Sequence, residues 1–342
     1  MSLSERLLER GLLPDFVVRY GIRRLLRDRL RAQHVLDPER VQRDLMAHLA
    51  ACESAPIAEA TGAANAQHYE VPAAFYQRVL GPNRKYSSGL WDTEASTLEA
   101  SEAKMLRTTC ERGQLKDGMR VLDLGCGWGS LSMWIARNYR NCKVLGVSNS
   151  HSQRQDIEAR AKQEGLSNLE IVTADANHFA PGRTFDRVFS VEMFEHMKNW
   201  RQLLARIASW LEPEGRMFLH IFTHRSAGYS FVEDGDGDWM ARQFFTGGQM
   251  PSDSQMLYLQ DHLAVEDHWR VAGTHYQRTS EAWLLNMDRA RSELWPLFEQ
   301  TYGQRCTAMW HGWRTFFMAC AELWGFDGGR EWFVSHYLLK KR

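Results

Sequence analysis

The stretch VLDLGCGWGS, residues 121–130, sets Gly125, Gly127 and Gly129 between an apolar run and a second apolar-faced segment, SLSMWIARNY. The run MRVLDLG reads as a buried strand ending in glycine, and the segment after it reads as a helix with one apolar face. Glycines at such a junction turn the chain sharply and let a ligand approach the backbone. The first turn of the helix adds unpaired N–H groups. A ligand carrying a nucleoside suits that cradle. The spacing is G-x-G-x-G with Ser130 behind it, whereas dinucleotide-binding folds use G-x-G-x-x-G. Asp123 stands two residues before the first glycine.

Strand and helix signals alternate outward from this point. KVLGVSN precedes a helical pattern over 152–164, LEIVTAD and DRVFSVE read as strands, and a helix over 200–211 leads into RMFLHIF. Parallel strands need crossover connections, so the expected fold is α/β: a doubly wound, mostly parallel, Rossmann-like sheet. Segments 3–13, 17–32 and 38–51 carry apolar residues at helical spacing. Residues 1–116 are therefore expected to form an N-terminal helical region contributing to the pocket, and 117–342 the α/β domain. The alternation breaks after Thr223, and a lid-like insertion is expected at about 224–262. Helical patterns over 280–302 and 305–324 precede EWFVSHYLL, which reads as an antiparallel edge strand.

Composition narrows the partners. The 342 residues hold 42 basic and 42 acidic side chains, so no net field draws in a phosphate backbone, and small molecules are expected rather than nucleic acid. Six scattered cysteines without a C-x-x-C pair argue against a zinc ribbon or a disulfide framework and for a reducing compartment. No apolar run approaches membrane-span length, and Glu5, Glu9, Asp15 and Asp28 spoil an acid-poor leader, so a cytoplasmic location is expected.

A second constellation, VEMFEHM over 191–197, follows the fourth strand at the edge where ligands of open α/β sheets bind. If it coils, Glu192 faces Glu195 and His196 at i,i+3 and i,i+4. Two carboxylates and an imidazole in one cavity push each other's pKa values apart and yield a base near neutral pH. An exposed acidic turn with a capping role is the plainer reading. H-E-x-x-H is absent, so no metal is expected. At the end of the second strand stand Ser148, Asn149 and Ser150 in place of the usual acid. Gln153 and Asp175 offer further hydrogen bonds to a nucleoside, although Asn149 and Gln153 serve equally well as helix caps.

NAQHYEVPAAFYQRVLG, RKYSSGLW, VLDLGCGWGS, the S-N-S-x-S-Q run and SVEMFEHMKNW resemble the cyclopropane fatty acid synthase family of class I S-adenosylmethionine-dependent methyltransferases. EMFEHMKN, WMARQFFTGGQMPS, HWRVAGTHYQRTSEAWL and WRTFFMACAEL are most similar to its coclaurine N-methyltransferase-like (benzylisoquinoline alkaloid) branch. The resemblance implies S-adenosylmethionine as cofactor and S-adenosylhomocysteine as product. Cofactor contacts are implied from Tyr69, Tyr86, Ser87, Gly125, Gly127, Asn149, Gln153 and the Asp175 region, with Asp123 and Gly129 completing the glycine motif. The alkaloid branch implies that Glu192, Glu195 and His196 handle a substrate amine. The lipid branch implies bicarbonate as base, held by Ser88, Glu195, His220, Phe222 and Tyr276, for methyl or methylene transfer to an unsaturated acyl chain. Ser88 replaces the cysteine common in the lipid enzymes, and Glu192 replaces a smaller neutral residue. Both departures favour N-methylation of a small cyclic or aromatic amine by in-line displacement.

Trp239, Phe244 and Phe245 are candidate walls for an aromatic substrate. A non-catalytic cofactor sensor is the least favoured reading, because it has no use for an acid–acid–imidazole group. Arg19, Arg23, Arg24, Arg27, Arg29 and Arg31 interleave with Ile22, Leu25, Leu26 and Leu30. A helix packed on the domain is favoured there over peripheral contact with an anionic bilayer. The run Asp234, Asp236, Asp238 starts like a calcium loop, but Trp239 holds its obligatory glycine position. Of His220 and His224, the first reads as a site residue and the second as surface.

Overall fold

Helix α1 (Leu3–Glu9), α2 (Asp15–Ala32), α3 (Pro38–Glu53), α4 (Ala73–Val79) and α5 (Leu98–Arg112) precede the first strand. The computed structural model describes residues 3–59, 72–231 and 247–342. Tyr69, Asp234, Asp236, Asp238, Trp239, Phe244 and Phe245 lie outside the described residues. Local chemistry starts the helices. The Asp37 side chain accepts from Arg40 N with Pro38 at the first helical position, and Thr97 accepts from Ala100 N.

The alternating part follows as β1 (Arg120–Leu124), α6 (Ser130–Asn138), β2 (Lys143–Ser148), α7 (His151–Gln163), β3 (Leu169–Thr173), β4 (Phe185–Val191), α8 (Trp200–Trp210) and β5 (Leu211–His224). These strands pair in parallel in the order β3-β2-β1-β4-β5, which is the expected doubly wound sheet. A two-strand ribbon, β6 (Tyr229–Ser230) with β7 (Gln249–Met250), sits in the region expected to be an insertion. Then come β8 (Leu263–Val271), α9 (Gly273–Arg289), α10 (Arg291–Tyr302), α11 (Cys306–Gly325) and β9 (Trp332–Lys341).

The end of the chain corrects two expectations. EWFVSHYLL is antiparallel but not an edge: β9 lies between β5 and β8, and its residues Trp332 to Leu339 are buried. The edge is β8, whose charged residues Glu266, Asp267 and Arg270 and a register shift between Val265 and Asp267 hide its strand character from periodicity. The single helix expected over 280–302 is two helices that meet at Ala290, the first beginning at Gly273.

Helix α2 packs on α11. Arg19 pairs with Glu281 at 2.6 Å and Glu322 at 3.1 Å, and Arg23 pairs with Glu322 at 2.9 Å. Its apolar residues Ile22, Leu26 and Leu30 join the core formed by α4, α9, α10 and α11. Among the described residues no helix is long and apolar enough to cross a membrane.

Candidate active site

Strand order reverses between β1 and β4, so their carboxyl ends flank the crevice where ligands of open α/β sheets bind. The loop after β1 carries the glycines and the turn after β4 carries Glu192. Gly125 N and Cys126 N both donate to Val147 O, at 3.0 and 2.8 Å, which ties the glycine loop to β2. Gly125 has φ +87°, and a Cβ there would meet Met193 Cγ at 2.5 Å. Gly127 (φ +52°) lines the cavity, and a Cβ there would meet nothing within 4 Å. That open cradle fits a ligand backing onto the loop.

Gly129 has a different place: it caps α6 in the left-handed region, and a Cβ would strike Ile157 of α7 at 2.7 Å. It does not line the cavity. Asp175 does not line it either. Its carboxylate accepts from Asn177 N at 2.7 Å, while its neighbours Ala174 and Ala176 face the cavity.

Asp123, Tyr86, Ser87, Ser148, Asn149 and Gln153 all line the cavity beside the glycines. Ser150, not Asn149 or Gln153, caps α7 by accepting from Gln153 N. The Gln153 side chain is held by Ser148 Oγ, which donates to Oε1 at 2.6 Å. Asp123 accepts from Ser132 Oγ at 2.6 Å, and burial raises its pKa to about 6. Sequence reasoning missed Lys85, a buried cavity-lining ammonium whose Nζ contacts Ser87 Oγ and whose pKa burial pushes down to about 8. RKYSSGLW contains it, but nothing in periodicity marks a lysine as buried.

Glu192 occupies the other wall. Its backbone sits at φ +49°, pinned by its N–H donating to His220 O at 2.8 Å. Its carboxylate accepts three hydrogen bonds: from Ser88 N at 3.1 Å, His220 Nε2 at 3.1 Å and Tyr276 Oη at 2.6 Å. Burial raises its pKa, while Lys85, Tyr276, the Ser88 amide and His196 oppose that rise. His196 lines the cavity, and burial lowers its pKa, so the imidazole is neutral.

Glu195 is not part of the cavity wall. Its Oε1 accepts from Phe222 N at 2.7 Å, and burial together with Glu192 raises its pKa well above the usual range. Of the anticipated acid–acid–imidazole group, Glu192 and His196 line the cavity, and Glu195 clamps the Phe222 amide behind them. His220, fully buried, supports Glu192 from β5 without lining the cavity. His224 is buried, not on the surface: Nδ1 accepts from Ser226 N and Ala227 N, and Nε2 faces Glu331 at 3.0 Å.

Six aromatic residues, Trp128 of the glycine loop with Phe222, Tyr276, Trp283, Phe316 and Trp324, also line the cavity. Tyr276 and Trp324 stack with centroids 4.8 Å apart and planes 2° apart. Such faces attract a cation. Trp283, Phe316 and Trp324 come from the helical patterns of the last third, where core packing is the ordinary expectation for an aromatic residue.

The family model for mycolic acid cyclopropane synthetase matches residues 58–327. The chain belongs to that family. It is 36% identical to (S)-coclaurine N-methyltransferase of Thalictrum flavum subsp. glaucum over 98% of this chain and 94% of that one. Pavine N-methyltransferase of the same plant is 33% identical over 98% and 95%. The crystal structure of a coclaurine N-methyltransferase bound to N-methylheliamine and S-adenosylhomocysteine superposes with a TM-score of 0.95 at 35% identity, covering 98% of both chains.

Proposed function

We propose that this member of the family transfers the methyl group of S-adenosylmethionine to the nitrogen of a small cyclic amine of the alkaloid kind. It is an S-adenosylmethionine-dependent methyltransferase of class I fold, and the glycine loop, Asp123, Asn149, Gln153, Tyr86 and Ser87 form the wall suited to that donor. The observation that carries the amine reading is the Glu192 carboxylate, held by three donors and facing a cavity walled by aromatic rings.

Bound S-adenosylmethionine supplies a methyl group on a positively charged sulfur. The chain supplies alignment, dryness and proton acceptance. Glu192 accepts a hydrogen bond from the acceptor nitrogen and fixes its lone pair toward the methyl group. His196, neutral through burial, takes the proton that a secondary amine sheds. Tyr276, Trp283, Phe316 and Trp324 exclude water and stabilise positive charge growing on nitrogen.

Transfer to an unsaturated acyl chain with bicarbonate as base has less support. Of its five residues, Ser88, His220 and Tyr276 already bind Glu192, and Phe222 N already binds Glu195. Six free, buried cysteines support a cytoplasmic location. The test is mass spectrometry of products from a mixed panel of cyclic secondary amines and unsaturated phospholipids. Methyl groups on amine nitrogen are expected, and products confined to acyl chains would overturn the reading.

A further inference from the structure

We propose that Arg112 and His336 are positioning residues, which fix the orientation and charge of Glu192 through a hydrogen-bond chain that runs in one direction across the sheet. The inference rests on the amine reading only for its effect on turnover. The chain itself is a matter of geometry.

Sheet register assembles it. Val191, beside Glu192, pairs with His220 of β5, His220 pairs with His336 of β9, and His336 pairs with Trp269 of β8. Directly paired residues share a sheet face, so the two imidazoles stand on one side, centroids 4.6 Å apart. Arg112, at the end of α5, lies over the Trp269 ring at 5.0 Å and closes the row.

Direction follows from hydrogen-bonding inventory. A guanidinium only donates, so Arg112 Nη1 at 2.7 Å makes His336 Nδ1 an acceptor. His336 is fully buried and neutral, so its proton is on Nε2, which donates to His220 Nδ1 at 2.9 Å. His220, neutral for the same reason, then carries its proton on Nε2 and donates to Glu192 Oε1 at 3.1 Å. Each bond in the row is polarised toward the carboxylate, and polarised chains strengthen their members. Glu192 as carboxylate completes the row. As neutral acid it lacks the charge that the row is arranged to meet.

Other charged groups face the row from every side. Lys85 from the segment before α5, Tyr276 from α9, Cys320 from α11 and Glu195 and His196 from its own turn surround Glu192. His268 of β8 and Lys85 face His336, and Asp267 and Glu111 face Arg112. All four ring nitrogens of His220 and His336 are engaged by members of the row. The side chains that set both tautomers are therefore Arg112 and Glu192, at the two ends.

Two measurements test the proposal. In protein with 15N-labelled histidine and no substrate, long-range 1H–15N correlation should show both His220 and His336 as neutral Nε2–H tautomers from pH 6 to 9. In Arg112→Met the His336 signals should depart from that pattern. A protonated ring, or an Nδ1–H tautomer in the unmodified protein, would overturn the chain whatever the enzyme methylates. In kinetics, Arg112→Met and His336→Leu should lower kcat roughly tenfold and move the acidic limb of the kcat–pH profile up by about one unit, with cofactor Kd unchanged. His336→Gln should restore both, because its amide accepts from Arg112 and donates to His220. A purely structural role predicts equal loss in His336→Leu and His336→Gln with an unmoved limb, and that result rejects positioning. Arg112 is half-buried at a helix end, so Arg112→Met keeps the test open if β9 variants fail to fold. An unmodified enzyme that methylates no amine but shows the expected tautomers would sink the functional reading and leave the chain standing.

Discussion

At the scale of single residues, strain and electrostatics converge on one position. Glu192 holds φ +49°, a region costly for a residue with a Cβ, and it is buried among groups that both raise and lower its pKa. A backbone kept there by a 2.8 Å bond to His220 O aims the carboxylate at the cavity instead of at the next helical turn. Glu192→Ala should therefore cut amine turnover by roughly 100-fold while cofactor Kd stays within about threefold, read by steady-state kinetics and calorimetry. Turnover surviving at the unmodified level would remove Glu192 from the chemistry. Gly127 makes the complementary case. It lines the cavity and its Cβ position is empty of protein atoms, so Gly127→Val should abolish cofactor binding. The left-handed backbone adds only about 1–2 kcal/mol of strain to folding. Calorimetry showing unchanged binding by the valine variant would mean that the donor sits elsewhere.

At the scale of elements, what the sequence disclosed and what it hid follow one rule. Strands buried on both faces read clearly, as in Val121–Leu124, and so did the helices with one apolar stripe. An edge strand with charged side chains did not, and β8 was invisible for that reason. The site divides likewise. Glycine spacing and the 191–197 constellation were legible because their chemistry is local in sequence. The burial of Lys85 and the partnership of His220 with His336, 116 residues apart, have no local signature. The sequence also treated the three glycines alike, whereas the helices separate them. Gly129 caps α6, and its missing Cβ makes room for Ile157 of α7. Gly129→Val should thus lower unfolding free energy by about 3 kcal/mol or more, combining overpacking with left-handed strain. Gly127→Val should lose binding with far less loss of stability. Urea midpoints reversing that order would contradict the division of labour between the two glycines.

At the scale of the whole molecule, the linkage of buried ionisable groups on several elements gives stability a maximum in pH. Burial lowers the pKa of His196, His220 and His336, so their neutral forms fit the fold. Their contribution is present above the ordinary histidine value and is lost as pH falls. Glu102 works in the opposite sense. It accepts from Gly81 N and Asn83 N, both at 3.0 Å, yet burial raises its pKa from 4.5 to about 7. A carboxyl whose folded pKa is raised contributes stability that is full below its unfolded value and is lost as pH climbs through the folded one. Between pH 6 and 8, Glu102 alone should cost about 1 kcal/mol, with Glu192 and Glu195 pushing the same way. The cofactor-free protein should therefore be most stable near pH 6–7. Glu102→Gln keeps a carbonyl acceptor for one of the two amides and has no proton to lose in this range. Urea unfolding at pH 6, 7 and 8 should show the unmodified protein losing ground to Glu102→Gln by about 1 kcal/mol across the series. A constant gap between the two proteins over that interval would show that the carboxyl is already ionised at pH 6 and that its two backbone amides outweigh burial.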